Sequence, residues 1–135
     1  MLDFFLATSL RQIQDLRLEP KISLGGPIYW FLRRYFVHAN LNPSDSSFLD
    51  LYEHTEVSGY QLVRLKAELN EALDDLSSRQ EGFSVLVGWS GGAKNEQTED
   101  WKPLQAAEVK QKIEELLSLA NEAQTKGLTL FAMGD

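Results

Sequence analysis

Residues 83–89 read FSVLVGW and are the strongest strand signal in the chain. β-Branched and aromatic side chains dominate the segment, and glycines flank it on both sides, which is typical of a buried strand between turns. A helix is predicted over 103–124, beginning at Pro103, and Gly127 ends it. A second apolar segment, 128–133, then predicts another strand. The order strand, helix, strand indicates a C-terminal βαβ unit with a right-handed crossover.

Hydrophobic periodicity predicts three more helices and one more strand farther upstream. The clearest helix covers 59–77, where apolar residues fall on one face and charged residues fall on the other. A helix at 27–39 is apolar on most sides, which predicts burial on most sides, and a short helix at 9–17 follows a strand at 2–7. The sequence therefore predicts an α+β fold, in which about four helices pack on a small mixed sheet of about three strands.

The composition fits one globular domain that covers residues 1–135. The chain has 43% hydrophobic residues, which is enough to close a core, and its length matches a single domain. Cysteine is absent, which excludes disulfides, thiolate catalysis, iron–sulfur clusters and cysteine zinc sites. Because no stretch approaches about 20 apolar residues and the first residues lack a basic leader, we expect a cytoplasmic protein without a membrane span.

The charge of the chain is negative and unevenly distributed. A net charge of −7 at pH 7 argues against nucleic acid as a partner, because phosphate contacts require clustered Lys and Arg. Residues 1–40 carry five basic and three acidic groups, whereas residues 41–135 carry eight basic and seventeen acidic groups. The acidic part either serves solubility alone or forms a negative surface that attracts a basic partner.

Three carboxylates, Glu68, Glu71 and Asp75, are predicted to share the exposed face of the 59–77 helix. The residues provide no credible nucleophile–base pair, metal motif or phosphate loop, and we expect no cofactor. The first functional hypothesis is therefore a non-catalytic protein-binding domain. Its most concrete form is an acidic inhibitor or antitoxin-like partner of a basic protein. The sequence leaves the oligomeric state open.

The segment Glu53-His54-Thr55-Glu56 is the densest group of potential metal ligands and proton-transfer groups. Glu53 and Glu56 could act as an acid–base pair beside His54, since carboxyl and imidazole groups are the side chains that most often transfer protons in catalysis. The segment lacks the second histidine of a zinc motif. A polar connection between elements is the simpler interpretation, with Glu56 near the start of the next helix. The alternative function is a small enzyme or ligand-binding domain that uses Glu53, His54 and Glu56.

The segment Gly88-Trp89-Ser90-Gly91-Gly92 matches G-x-S-x-G, the nucleophile elbow of α/β-hydrolases, and it follows a predicted strand. In such an elbow, a histidine would activate Ser90. Both histidines precede Ser90 in the sequence, and the residues that follow are polar rather than helical. We therefore interpret the motif as a glycine-rich turn at the end of a strand.

Trp89 and Trp101 bracket a polar, glycine-containing loop. Because tryptophan is enriched in binding hot spots, the two residues could line a pocket or a contact surface together with Ser90. The simpler expectation is that each tryptophan packs on the core and pins the loop.

The aromatic residues of the 27–39 helix allow two interpretations as well. They could form a ligand pocket in which Arg33 or Arg34 holds an anion, but their helical spacing favours a core role. The aromatic residues in question are Tyr29, Trp30, Tyr35 and Phe36.

Overall fold

The computed structural model describes residues 1–41, 49–50, 53–90 and 97–134, with the backbone alone at Ser90. The helices are α1 (Leu10–Leu16), α2 (Gly26–His38), α3 (Tyr60–Ser77) and α4 (Ala106–Lys126). The strands are β1 (Leu2–Ala7), β2 (Ile22–Leu24), β3 (His54–Val57), β4 (Gly82–Ser90), β5 (Thr98–Gln105) and β6 (Thr129–Met133). The predicted α+β class is confirmed, and each predicted helix has its counterpart.

Four of the strands form one sheet in the order β2-β1-β6-β3. β1 and β6 are the two central strands of this sheet. On β1, Phe4 lies opposite Ile22 of β2 on one side and opposite Ala132 of β6 on the other. β3 pairs with the other side of β6, where Val57 lies opposite Leu130. These three pairs of strands are all antiparallel.

Helices cover both faces of the four-stranded sheet. On one face, Leu2, Phe4 and Leu130 have no exposed surface and belong to the main core, which α2, α3 and α4 complete. On the opposite face, Phe131 packs with Ile13 of α1 in a smaller cluster. β1 contributes to both clusters because successive side chains of a strand point to opposite faces.

Sequence signals mark the helix ends well, except at the start of α4. Ser9 is the N-cap of α1, and its hydroxyl oxygen accepts a hydrogen bond from the Gln12 amide at 3.2 Å. Gly127 ends α4 in the left-handed region with φ 65°, a conformation that glycine adopts without steric cost. The predicted start at Pro103 is too early, because this residue belongs to β5.

The C-terminal βαβ unit predicted from the sequence is wrong. β4 pairs with β5 in a separate antiparallel sheet, whereas β6 pairs with β1 and β3. β5 escaped prediction because Leu104 is its one buried residue, so the strand shows no apolar alternation. Pro103 indicated a helix start, yet proline is also compatible with a strand that has a free edge, where no ladder hydrogen bond is lost.

Candidate functional site

The ribbon formed by β4 and β5 has an inner face that packs on the main core. Phe83 lies opposite Leu104 across the ribbon, and both side chains contact the core, as does Val85. The Phe83 ring lies 5.4 Å from the ring of Phe31 on α2, measured between centroids. These apolar contacts fix the ribbon against α2.

The outer face of the ribbon carries two exposed tryptophans. Glu99 and Trp101 lie two residues apart on β5 and so share a face, and the Trp101 ring nitrogen donates to the Glu99 carboxylate at 3.0 Å. Trp89 lies opposite Glu99, and Leu86 lies opposite Trp101. Trp89 is 60% exposed and Trp101 is 53% exposed. We name Leu86, Trp89 and Trp101 the tryptophan face.

The tryptophan face corrects the expectation that each tryptophan packs on the core. Strand alternation explains the outcome, because the inner face of the ribbon is already filled by Phe83 and Leu104. Trp89 and Trp101 therefore point away from the core. The alternative interpretation, in which they line a contact surface, is the one that agrees with their exposure.

A groove of about 310 Å³ lies on the surface between the ribbon and α2, beside their contact. We name it the arginine–aromatic groove. Its lining comprises Trp30, Phe31 and Arg34 of α2, residues 83–86 of β4, Arg79 after α3, and Trp101 of β5. Trp101 thus belongs to both the groove and the tryptophan face, so the two features form one continuous surface.

Arg79 lines this groove and is held on two sides. Its guanidinium carbon lies 5.2 Å from the Phe31 ring centroid and 5.0 Å from the Phe83 ring centroid, within the range of cation–π attraction. Its Nε donates to one oxygen of Asp75 at 3.1 Å, and its Nη2 donates to the other oxygen at 3.3 Å. Arg79 therefore links α3, α2 and the ribbon.

Tyr35 completes a hydrogen-bonded cluster with Asp75 and Arg79, because its hydroxyl donates to Asp75 at 2.6 Å. Burial, together with this hydrogen bond, raises the pKa of Tyr35 to about 12. Burial also acts to raise the pKa of Asp75, but the hydrogen bonds from Tyr35 and Arg79 and the nearby positive charges outweigh it, so this pKa is lowered. Asp75 is therefore a carboxylate at neutral pH, and its charge balances that of Arg79.

Arg34 differs from Arg79 in its partners. Its guanidinium carbon lies 4.9 Å from the centroid of the Tyr35 ring, and it forms no ion pair with any residue that the structure describes. The neighbouring Arg33 lies over Trp30 at 5.7 Å. One side of the groove is consequently positive, although the whole chain has a net charge of −7.

The aromatic residues of α2 are mainly core residues, as their spacing predicted. Tyr29, Tyr35 and Phe36 are buried, and the Tyr29 hydroxyl donates to the Leu49 carbonyl at 2.9 Å. Trp30 is half-buried at the rim of the groove. Within the groove, α2 contributes Phe31 and Arg34 beside Trp30.

Ser90 lies at the end of β4, where its backbone pairs with Thr98 of β5. A nucleophile elbow turns from a strand directly into a helix, whereas β4 is followed by an antiparallel strand. Residues 91–96, which include the two glycines of the motif, lie outside the described residues. Gly88, Trp89 and Ser90 themselves belong to β4, so the first three residues of the motif lie in a strand and not in the predicted turn.

The segment from Glu53 to Glu56 is not a polar connection, since β3 begins at His54 and forms an edge of the four-stranded sheet. His54 and Glu56 lie two residues apart on this strand, so they share a face, and both are exposed. Glu53 precedes the strand, and its carbonyl accepts a hydrogen bond from the Gly134 amide at 2.9 Å. In the described ranges, no three His, Asp or Glu side chains come together as a metal site would require.

The predicted acidic face of α3 is present without Asp75. The Asp75 side chain is only 22% exposed because it binds Arg79 and Tyr35. Glu68 is half-buried and Glu71 is exposed. Asp74 is exposed as well, and none of Glu68, Glu71 and Asp74 forms an ion pair within the described part of the chain. We name these three residues the acidic face.

Sequence reasoning missed Arg79 as a site residue. The spacing of Asp75 and Arg79 is the i,i+4 spacing of a helical ion pair, and this signal was available. The position of Arg79 between Phe31 and Phe83 could not be predicted from the sequence, because it depends on the packing of the ribbon against α2.

No family model, curated protein or solved structure matches this chain. The candidate site therefore depends on its own geometry alone. None of the helices in the described part of the chain is long and apolar enough to cross a membrane.

Proposed function

We propose that the chain is a non-catalytic protein-binding domain that contacts its partner through the tryptophan face. The observation that carries this proposal is the exposure of Trp89 and Trp101, at 60% and 53%, on one face of the ribbon. Large apolar side chains grouped on a surface mark interaction sites more often than side chains that are scattered singly. Tryptophan is also among the residues that dominate binding energy.

The contacts that hold the ribbon on the core also favour this proposal. A binding surface loses less conformational entropy when its side chains are presented on a rigid support. Phe83 and Leu104 anchor the inner face of the ribbon in the core, and Arg79 stacks on Phe83 from the side of α3. The ribbon therefore holds its outer face in a defined position before a partner arrives.

The test is partner capture followed by affinity measurement with the purified partner. Proteins from the native host are captured on the wild-type chain, and binding is then measured by titration calorimetry for Trp89→Ser, Trp101→Ser and the double variant. Each single substitution is expected to cost about 2 kcal/mol of binding free energy, which is about a 30-fold loss of affinity.

Tyr60→Ser is the matched control, because Tyr60 is an exposed aromatic residue on α3 with 82% of its surface accessible. This variant should bind as the wild type does. The proposal fails if the partner binds the double tryptophan variant with unchanged affinity.

The acidic face is a second candidate contact surface, and it favours a basic partner. The specific observation is that Glu68, Glu71 and Asp74 lack ion pairs within the described residues, whereas lysines pair with three glutamates of α4. Unpaired carboxylates in one row generate a negative potential that speeds association with a positive surface.

Charge neutralisation tests this second candidate. The triple variant Glu68→Gln, Glu71→Gln, Asp74→Asn should associate more slowly with the captured partner, and the difference should shrink as salt rises, because screening shortens to about 8 Å at physiological ionic strength. Asp75 is left unchanged because it supports Arg79. An equal association rate at low salt would remove the acidic face from the interface.

A further inference from the structure

We infer that the arginine–aromatic groove binds an extended, acidic segment of the partner protein, which adds a strand to β4. This inference rests on the proposed function and assigns a chemistry to the partner at that surface. Three features carry it: the free edge of β4, the charge of Arg34, and the aromatic side chains at the two rims of the groove.

The first feature is the edge of β4. β4 pairs with β5 on one side, and no described strand pairs with its other side. Four consecutive residues, 83–86, line the groove. Because successive side chains of a strand point to opposite faces, residues 83–86 line the groove from both faces of β4. The groove therefore reaches the strand edge as well as the outer face, where Leu86 and Trp101 lie. A strand edge with unpaired backbone groups is a template for an added strand.

The second feature is the charge on the side of α2. Arg34 faces the groove, and no described carboxylate pairs with it. The charge of Arg79 is already balanced by Asp75, which binds it through two hydrogen bonds. Arg34 also lies close enough to Asp75 to lower the pKa of that carboxyl. Two guanidinium groups therefore share one carboxylate, and the described residues leave this side of the groove with a net positive charge. The planar, forked donors of a guanidinium match a carboxylate, so the segment that fits is acidic.

The third feature is the pair of aromatic side chains at the rims. Trp101 is 53% exposed, and Trp30 on α2 is half-buried. Phe31 and Phe83 form an apolar floor around Arg79. An extended peptide presents alternate side chains on one face, so an acidic residue at Arg34 and an apolar residue against a tryptophan can belong to the same short segment.

Selection from a library of random dodecapeptides displayed on phage tests this inference without knowledge of the partner. Peptides selected on the wild-type chain should be enriched in Asp and Glu that alternate with apolar residues. Synthetic copies of the best peptide should bind Arg34→Gln about tenfold more weakly than the wild type, which corresponds to the loss of one charged hydrogen-bonding partner.

Two controls make the outcome specific. Arg11→Gln removes the same charge from an exposed position on α1, where the side chain is 87% exposed and paired with Asp15, and it should leave peptide affinity unchanged. A peptide whose amide nitrogens are methylated along one edge should bind at least about tenfold more weakly, since it loses the ladder hydrogen bonds.

The inference is overturned by selected peptides that are not acidic, by the absence of any enriched peptide, or by equal affinity for Arg34→Gln and the wild type. Pairing of β4 with a second copy of the chain would also overturn it, and sedimentation would detect this as a dimer that Arg34→Gln leaves intact. If the tryptophan variants lose the native partner while Arg34→Gln retains it, the proposed function stands and the inference alone fails.

Discussion

The four-stranded sheet and the β4–β5 ribbon use similar residues for opposite purposes. In the sheet, Phe4 and Leu130 have no exposed surface, and helices cover both faces. In the ribbon, one face carries Phe83 into the core, and the other presents Trp89 and Trp101 to solvent. The difference depends on whether a helix covers the second face. α1 covers the second face of the sheet, whereas no described helix covers the outer face of the ribbon.

This difference separates stability from recognition. Apolar area that is buried within the chain stabilises the fold by about 25 cal/mol per Å². Apolar area left in water on a fixed support contributes nothing to the fold and becomes useful when a partner covers it. Substitutions in the two regions should therefore affect different measurements.

The largest effect is expected at the centre of the sheet. Phe4→Ala should lower the free energy of unfolding by about 3–5 kcal/mol, because it removes a fully buried ring and leaves a cavity. Urea unfolding followed by circular dichroism measures the change. A loss below about 1 kcal/mol would show that the sheet is not the centre of stability.

An intermediate effect is expected where α2 meets α3. Tyr35→Phe removes the hydrogen bond to the Asp75 carboxylate and should cost about 1.5–3 kcal/mol of stability. The change in stability is again read from urea unfolding. Unchanged stability would mean that water replaces the phenol without loss.

The same cluster should make stability depend on pH in a defined direction. The pKa of Asp75 is lowered from 3.8, so its stabilising effect is complete above that value and is lost as the pH falls through the lowered pKa. The pKa of Tyr35 is raised from 10.0 to about 12, so its effect is complete below 10.0 and is lost as the pH rises toward 12. The difference in the free energy of unfolding between the wild type and Asp75→Asn should therefore become smaller as the pH falls below about 4.

The smallest effect on folding is expected on the outer face of the ribbon. Trp89→Ser and Trp101→Ser should each change the free energy of unfolding by no more than about 0.5 kcal/mol, as is usual at exposed positions. The same denaturation measurement applies. A loss comparable to that of Phe4→Ala would mean that the tryptophans serve the fold, and the contrast between sheet and ribbon would then disappear.

The sequence predicted the helices and the longer buried strands β1, β4 and β6 well because their signals are local. Leu65 and Leu69 recur at helical spacing and are fully buried on α3, and Ser9 caps α1 as its motif indicates. Three strands were missed, and all three lie at sheet edges. β2 has only three residues, which is too short to show a periodicity. β3 and β5 expose most of their side chains. An exposed strand lacks the apolar alternation that identifies a buried one.

The candidate site was predicted only in part, because it depends on tertiary contacts. Trp89 and Trp101 attract attention as residue types, but their common face follows from the register of β4 against β5. That register could not be predicted, because the sequence of residues 98–102 indicates a loop and not a strand. Asp75 appeared to be a surface carboxylate because its partner Tyr35 lies 40 residues away in the sequence.

The exposure of Trp89 and Trp101 also gives the molecule an internal optical reporter. The chain has three tryptophans. Trp30 of α2 is half-buried, whereas the other two are more than half exposed. Because Trp89 and Trp101 are exposed, we expect them to emit as indole does in a polar medium, and we expect a partner that covers the outer face of the ribbon to move that emission to shorter wavelength. Binding at this surface can therefore be followed by intrinsic tryptophan fluorescence, without a label on either protein.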